Sequence, residues 1–204
     1  MDHPLITKKH FRRAFEDAWN ELYGLFPVQL DKAYAAASPR TWTEFMFGRE
    51  PKAIGGRSLL ERAIERLSAE RITFEFDRER HGVDVFGRIH VGPKNIGHAG
   101  YLNVVMIEIE NDTRKSYEEF WKLLHARCPL RVLITYELRD AAAHELAFRT
   151  YEQMYQAARK YLGTDDPDAY LVVVGSRSGT PPRIRWRFYE LVGERSEVSA
   201  AAPR

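Results

Sequence analysis

One cysteine, Cys128, stands in 204 residues. A single thiol cannot close an intrachain disulfide or supply a multi-cysteine zinc site. It falls on the apolar side of an expected helix and reads as core filler rather than a nucleophile. Long apolar runs are missing too. No segment approaches the roughly 18 consecutive apolar residues of a membrane span. Lys8, Lys9, Arg12 and Arg13 arrive where a secretory leader would be apolar. Asn111-Asp112-Thr113 fits a glycosylation pattern but lacks a secretory context. The expectation is a cytoplasmic protein with no membrane partner. There is no glycine-rich phosphate loop, no Ser-His-Asp order, no internal repeat and no low-complexity block. Charge of one sign is not in excess. With 31 basic and 29 acidic residues the net charge is +2, which neither demands nor excludes nucleic acid, so the distribution of charge decides.

What is present is ordinary for a folded chain: 44% hydrophobic and 29% charged residues. The length supports one substantial core and is marginal for two domains. Phe11, Phe15, Ala18, Trp19 and Leu22 recur at helical spacing over residues 7–26, with Pro27 just beyond. A short helix over 30–37, one more turn over 41–47 and a loop over 48–56 are expected next. Ser58 and Glu61 form a capping box at the head of a helix reaching about residue 70. The period then changes to two. Ile72, Phe74 and Phe76 alternate with polar residues in a first strand. A turn over 78–82 leads to a second strand with Val83, Val85, Gly87, Ile89 and Val91 on one face. After a loop over 93–100, residues 102–110 are apolar on both faces, as in a central strand. Val104 and Met106 are expected to point one way, Val105, Ile107 and Ile109 the other. A helix over 116–127 carries Tyr117, Phe120, Trp121, Leu124 and Cys128 on one side. A fourth strand over 130–136, a long helix from a cap at Asp140 to Gly163, a strand over 170–174, a loop over 176–182 and a strand over 184–191 complete the order. The four tryptophans mostly fall at core phase, and the tail over 194–204 is expected to fray.

Glu108 and Glu110 end the central strand on one face. Two neighbouring carboxylates on an apolar strand repel each other and resist desolvation. A hard divalent cation relieves both, and Mg²⁺ favours oxygen ligands. Asp84, on the second strand, reaches the same place if the two strands pair. An ion held there would activate water and stabilise phosphoryl charge. The competing reading is that charged residues simply mark strand ends.

Helix, three-strand meander, helix, then a strand parallel to the third is an order that resembles the PD-(D/E)xK nuclease superfamily. The residues that carry the resemblance are Gly82-Val83-Asp84-Val85, then Val105-Met106-Ile107-Glu108-Ile109-Glu110-Asn111, the helix Lys115 to Leu124 and the strand Leu130 to Tyr136. The implied fold is α/β, a mixed central sheet flanked by helices. It has a restriction-endonuclease-like αβββαβ core at 58–137, extra N-terminal helices in an extension at 1–57, and a C-terminal helix and β-hairpin at 138–193. A flexible tail at 194–204 completes one domain over 1–204. The implied activity is DNA hydrolysis with Mg²⁺ or Mn²⁺, with Asp84, Glu108 and Glu110 as metal ligands or water-activating groups and Asp84 and Glu108 as the metal pair. Glu110 occupies the family's lysine position. Some members resembling this family use glutamate there, and others move the lysine to the next helix. Lys122 is the local candidate for such a move, although its phase lies off the stripe through Tyr117 and Trp121, as for a solvated lysine. Glu75 and Asp77 compete with Asp84. Glu61 and Glu65 are available as a first-helix acid but phase to the polar side. The alternative is an inactive nuclease fold serving as a nucleic-acid-binding or protein-interaction module.

Arg185 and Arg187 share a strand face opposite Ile184, Trp186 and Phe188, with Arg177 and Arg183 nearby. They are candidate phosphate contacts, or charges that protect an edge strand from aggregation. Lys8, Lys9, Arg12 and Arg13 form a second basic group at a helix end. His90 and His98 lie near the acids in sequence. DNA is the expected partner; a homodimer is compatible with the sequence, which does not fix the oligomeric state.

Overall fold

A computed structural model describes residues 6–35, 45–46, 57–67, 72–76, 84–91, 101–110, 112–137, 141–162, 170–178, 183–191 and 198–200. Helix α1 (Lys8–Leu25) starts where the Thr7 hydroxyl accepts the His10 amide at 3.3 Å, and it buries the expected stripe Phe11, Phe15, Ala18, Trp19 and Leu22. It stops at Phe26. Pro27 does not merely follow it but opens α2 (Pro27–Ala35), because a proline at the first helical position loses no hydrogen bond. Helix α3 (Leu59–Leu67) opens on the expected capping box. The Ser58 amide donates to Glu61 at 2.6 Å, and the Glu61 amide donates to the Ser58 hydroxyl at 3.2 Å.

Among the described residues, seven strands form one sheet in the order β1 (Ile72–Phe76), β2 (Val85–His90), β3 (Tyr101–Glu110), β4 (Leu130–Glu137), β5 (Tyr170–Ser178), β6 (Arg183–Glu190) and β7 (Val198–Ala200). β1, β2 and β3 are an antiparallel meander; β3, β4 and β5 are parallel; β6 and β7 run antiparallel to their neighbours. The parallel pairs require crossovers, supplied by α4 (Thr113–His125) between β3 and β4 and α5 (Ala141–Leu162) between β4 and β5. The fold class is thus the expected mixed α/β sheet flanked by helices. One core packs α1 and α3 against Val85, Val105, Ile107, Val132, Ile134 and Val173. The other packs α4 and α5 against Phe86, Met106, Leu133, Val172 and Tyr189. Both faces of β3 are covered, which is why it is apolar on both.

Four expectations are corrected. Val104 does not share the Met106 face. The β2–β3 register shifts between Gly87 and Arg88, where Gly87 pairs with Val105 and Arg88 with Asn103. Val104 is the extra residue of this bulge and packs in the α1 core instead. Trp121 is 46% exposed, so it is not on the buried stripe of α4, which runs through Phe120, Leu123 and Leu124. The expected loop at 176–182 begins as strand, since β5 continues to Ser178 and β6 begins at Arg183, while residues 179–182 lie outside the described residues. The tail is not wholly frayed, because Val198–Ala200 pairs with β6. Cys128 is buried, and burial pushes its thiol up to about 11, as suits core filler. No described helix is long and apolar enough to cross a membrane. Asp77, His98, the turn at 78–82, the loop at 93–100, the Asp140 cap and Gly163 lie outside the described residues.

Candidate metal centre

Glu108 lies near the carboxyl end of β3 on the face that Met106 shares, under α4 and α5. Only 2% of it is exposed, and its Oε1 has no hydrogen-bond partner among the described residues. A buried carboxylate oxygen left without a donor is costly. Asp84 immediately precedes β2. Val85 pairs with Ile107, so Asp84 stands one step further along the ladder, beside Glu108. Its side chain then replaces a backbone partner, for the Ile109 amide donates to Asp84 Oδ2 at 2.8 Å. That bond pins the aspartate against the strand that carries the glutamate.

The two acids disturb each other. Burial raises Glu108 to about 9, aided by the charges of Asp84 and Glu119 and opposed by Lys122 and the Asp84 amide. Burial also raises Asp84 to about 6; the Ile109 amide opposes it, Glu119 and Glu110 add to it, and Lys122 opposes it. Both groups therefore sit where burial and neighbouring carboxylates outweigh the nearby Lys122 and favour the neutral form.

Helix α4 overlooks this pair. Its hydroxyl Ser116 shares a 2.7 Å hydrogen bond with Tyr151 of α5, and Phe120, Leu123 and Leu124 seat it on the sheet. At 100° per residue, Glu119 and Lys122 fall on the flank next to that buried arc, and they form an ion pair with each other. Burial works to lower the Lys122 ammonium, but the hydrogen bond to Glu119 and the charges of Glu119, Glu108 and Asp84 outweigh it and leave it raised. Lys122 is half-exposed yet stands in the field of both acids. Lys122 lies nearer the acids than its expected phase implies because Trp121 is exposed and the buried stripe runs through Phe120, Leu123 and Leu124. Glu119 escaped the sequence reading altogether; its signal was the i, i+3 pairing with Lys122 on the helix that follows the acid-bearing strand.

The other candidates separate. Glu110 is half-buried and accepts the Asp112 amide at 2.8 Å, so it braces the start of α4 while its charge still reaches Asp84. Glu75 pairs with Arg88 at 2.6 Å, and Arg88 also holds Asn103. Glu61 is spent on the capping box, and Glu65 pairs with Arg57 at 2.6 Å. His90 is exposed at the far end of β2, edge-on to Tyr101. Lys8 pairs with Glu190 and Arg12 with Glu16, so that basic group is largely neutralised. Arg185 is exposed and Arg187 half-buried, on the β6 face that Tyr189 shares and opposite Ile184, Trp186 and Phe188. Neither belongs to the carboxylate cluster.

Among the described residues, no three acid, imidazole or thiol side chains stand close enough to chelate a metal unaided. Two carboxylates suit a different ion. Mg²⁺ keeps several waters and is commonly bound through one or two carboxylates. Asp84 and Glu108, with the orphaned Oε1, fit that donor set.

No family model matches the chain, and no curated protein does. A solved structure, the YaeQ protein from Xanthomonas axonopodis pv. citri, is similar over 69% of this chain and 72% of its own, with 14% identity and a TM-score of 0.27. A likeness of that size carries no argument about function.

Proposed function

We propose that this protein is a divalent-metal-dependent phosphodiesterase of the PD-(D/E)xK kind, hydrolysing DNA in the cytoplasm. The observation that carries the reading is the buried Glu108, its Oε1 unpartnered and Asp84 fixed beside it. Asp84 and Glu108 would hold Mg²⁺ or Mn²⁺. When bound, such an ion supplies an activated water near neutral pH and stabilises charge on the phosphoryl group.

The remaining roles belong to the chain's own side chains. Lys122 presents a permanent positive charge beside the acid pair, the role a family lysine would take if moved to the next helix. Glu119 holds that ammonium in place and keeps it protonated. Preorganised charge of this sort stabilises developing negative charge without reorganisation cost. Glu110 would orient water only by giving up the Asp112 amide, so its principal work is to fix the β3–α4 junction that positions Glu119 and Lys122.

The test is cleavage of plasmid and single-stranded DNA with Mg²⁺ or Mn²⁺, wild type beside Glu108→Ala. Cleavage by wild type, lost in a variant that still melts cooperatively, is the expected result. Cleavage retained in Glu108→Ala sinks the assignment. Glu110 at the lysine position favours a second reading, a nuclease fold that binds DNA without cutting it. That reading expects DNA binding with no metal-dependent cleavage in wild type.

A further inference from the structure

The register of the sheet joins the acids to an arginine pair on β6. Glu110 pairs with Thr135, Thr135 with Val174, and Val174 with Arg187. Register partners point to the same face, so this row runs from the end of β3 to β6 on the face of Glu108. Three strand spacings of about 4.8 Å separate its ends, roughly 14 Å. Arg185 lies two residues further out, opposite Ser176. There β5 runs four residues past Val174, to Ser178, whereas β4 stops two residues past Thr135 and β3 stops at Glu110. The β5–β6 hairpin therefore stands about 13 Å beyond the row, at 3.3 Å per residue. It rises at one side of the floor formed by the carboxyl ends of β3 and β4.

Among the other partly buried arginines, Arg131 is held by the Ala126 carbonyl at 2.7 Å and the Tyr170 ring, and the rest have acid partners. Arg12 pairs with Glu16, Arg62 with Glu21, and Arg88 with Glu75. Arg185 and Arg187 pair with no acid among the described residues. β7 covers the outer edge of β6 only from Arg187 onward, so protection of a sheet edge does not account for Arg187. A half-buried, always charged guanidinium with no carboxylate partner among the described residues is suited to a phosphate.

We propose that the β5–β6 hairpin is a rail for the DNA backbone, with Arg187 and Arg185 gripping phosphates roughly 16–20 Å from the one positioned at Asp84 and Glu108, at about 4.8 Å per strand and 3.3 Å per residue. This takes from the proposed function only that the substrate is DNA. Phosphate contacts position a substrate without reading its sequence, so the rail sets where along the backbone the acids act.

The test is fluorescence anisotropy of a labelled 30-base-pair duplex and the matching single strand, titrated at several NaCl concentrations with a chelator present so that nothing is cut. Each neutralised phosphate adds about 0.9 to the steepness of log Kobs against log[salt] on duplex. Arg185→Ala/Arg187→Ala should flatten the slope by about 2 and weaken binding on duplex, and the double lysine variant should restore the slope. Arg185→Glu is the second probe, since an exposed side chain can be reversed in charge without unfolding the protein; it should weaken binding at least tenfold at low salt. Unchanged slopes and affinities in these variants, or a wild type that binds neither DNA, overturn the rail. Cleavage is scored separately. Binding that follows the arginines with no cleavage by wild type keeps the rail and removes the phosphodiesterase. Cleavage by wild type with arginine-independent binding does the reverse.

Discussion

Glu108 and Asp84 are each held in a site that favours their neutral forms, and this has a consequence for stability. Their carboxyls are raised from 4.5 to about 9 and from 3.8 to about 6. The folded protein therefore keeps protons that the unfolded chain would release. The stabilisation is complete below the ordinary carboxylate range and is lost as pH rises through about 6 and then about 9. Thermal melts with a chelator should show Tm falling across that window, and Glu108→Gln should remove the upper part of the fall. A wild-type Tm that is flat with pH contradicts the assignment. Lys122 is the second residue to test. Lys122→Ala should slow single-turnover cleavage about 10²-fold, the scale of losing one preorganised donor, with DNA binding kept and Lys122→Arg partly restoring the rate. An unchanged rate would return Lys122 to the solvated role its phase first suggested. The acid pair was legible because strand alternation fixes which carboxylates share a face. Glu119 was not, because Tyr117 and Trp121 gave a false stripe that turned its flank away from the sheet.

Among the elements, β2 shows how close the packing is on the α1–α3 face of the sheet. A Cβ on Gly87 would lie 2.4 Å from Val105 Cγ1 and 2.8 Å from Phe74 Cε1, so a side chain there must displace its neighbours. Gly87→Ala is expected to cost about 1–3 kcal/mol in urea unfolding, the usual range for overpacking. It should also reduce cleavage, because Asp84 is held by the register that this glycine permits. A variant as stable as wild type would show that β2 yields easily. The capping box of α3, the meander and the parallel β3–β4 pair could all be read from local signals: Ser58 with Glu61, a period of two, and an apolar strand followed by a helix. The bulge at Val104 could not, since Val104 and the adjacent Val105 are both valines that suit either face. Nor could the length of the β5–β6 hairpin, since residues 176–178 look like the start of a turn yet continue the ladder.

For the whole molecule, the layout explains why the candidate chemistry lies where it does. Parallel strands in open α/β sheets gather ligands at their carboxyl ends. Here those ends carry Glu108 on β3, Asp84 beside it from β2, the Glu119–Lys122 pair above them on α4, and the arginine hairpin three strands away. Helices α1 and α3 occupy the opposite face, where Arg62 and Arg66 close on Glu21 and Arg57 on Glu65. Those charges serve the packing of the helices, and among the described residues Lys122 is the cation whose charge reaches the acid pair. The central claim is thus that Asp84 and Glu108 form a divalent-cation site. Its most direct test is a calorimetric titration of the protein with Mn²⁺ near pH 7.5, repeated in Glu108→Gln. The expected result is saturable binding accompanied by proton release, because the raised carboxyls must ionise to bind, with binding lost or sharply weakened in the variant. No binding by wild type, or equal binding by both proteins, would contradict the account.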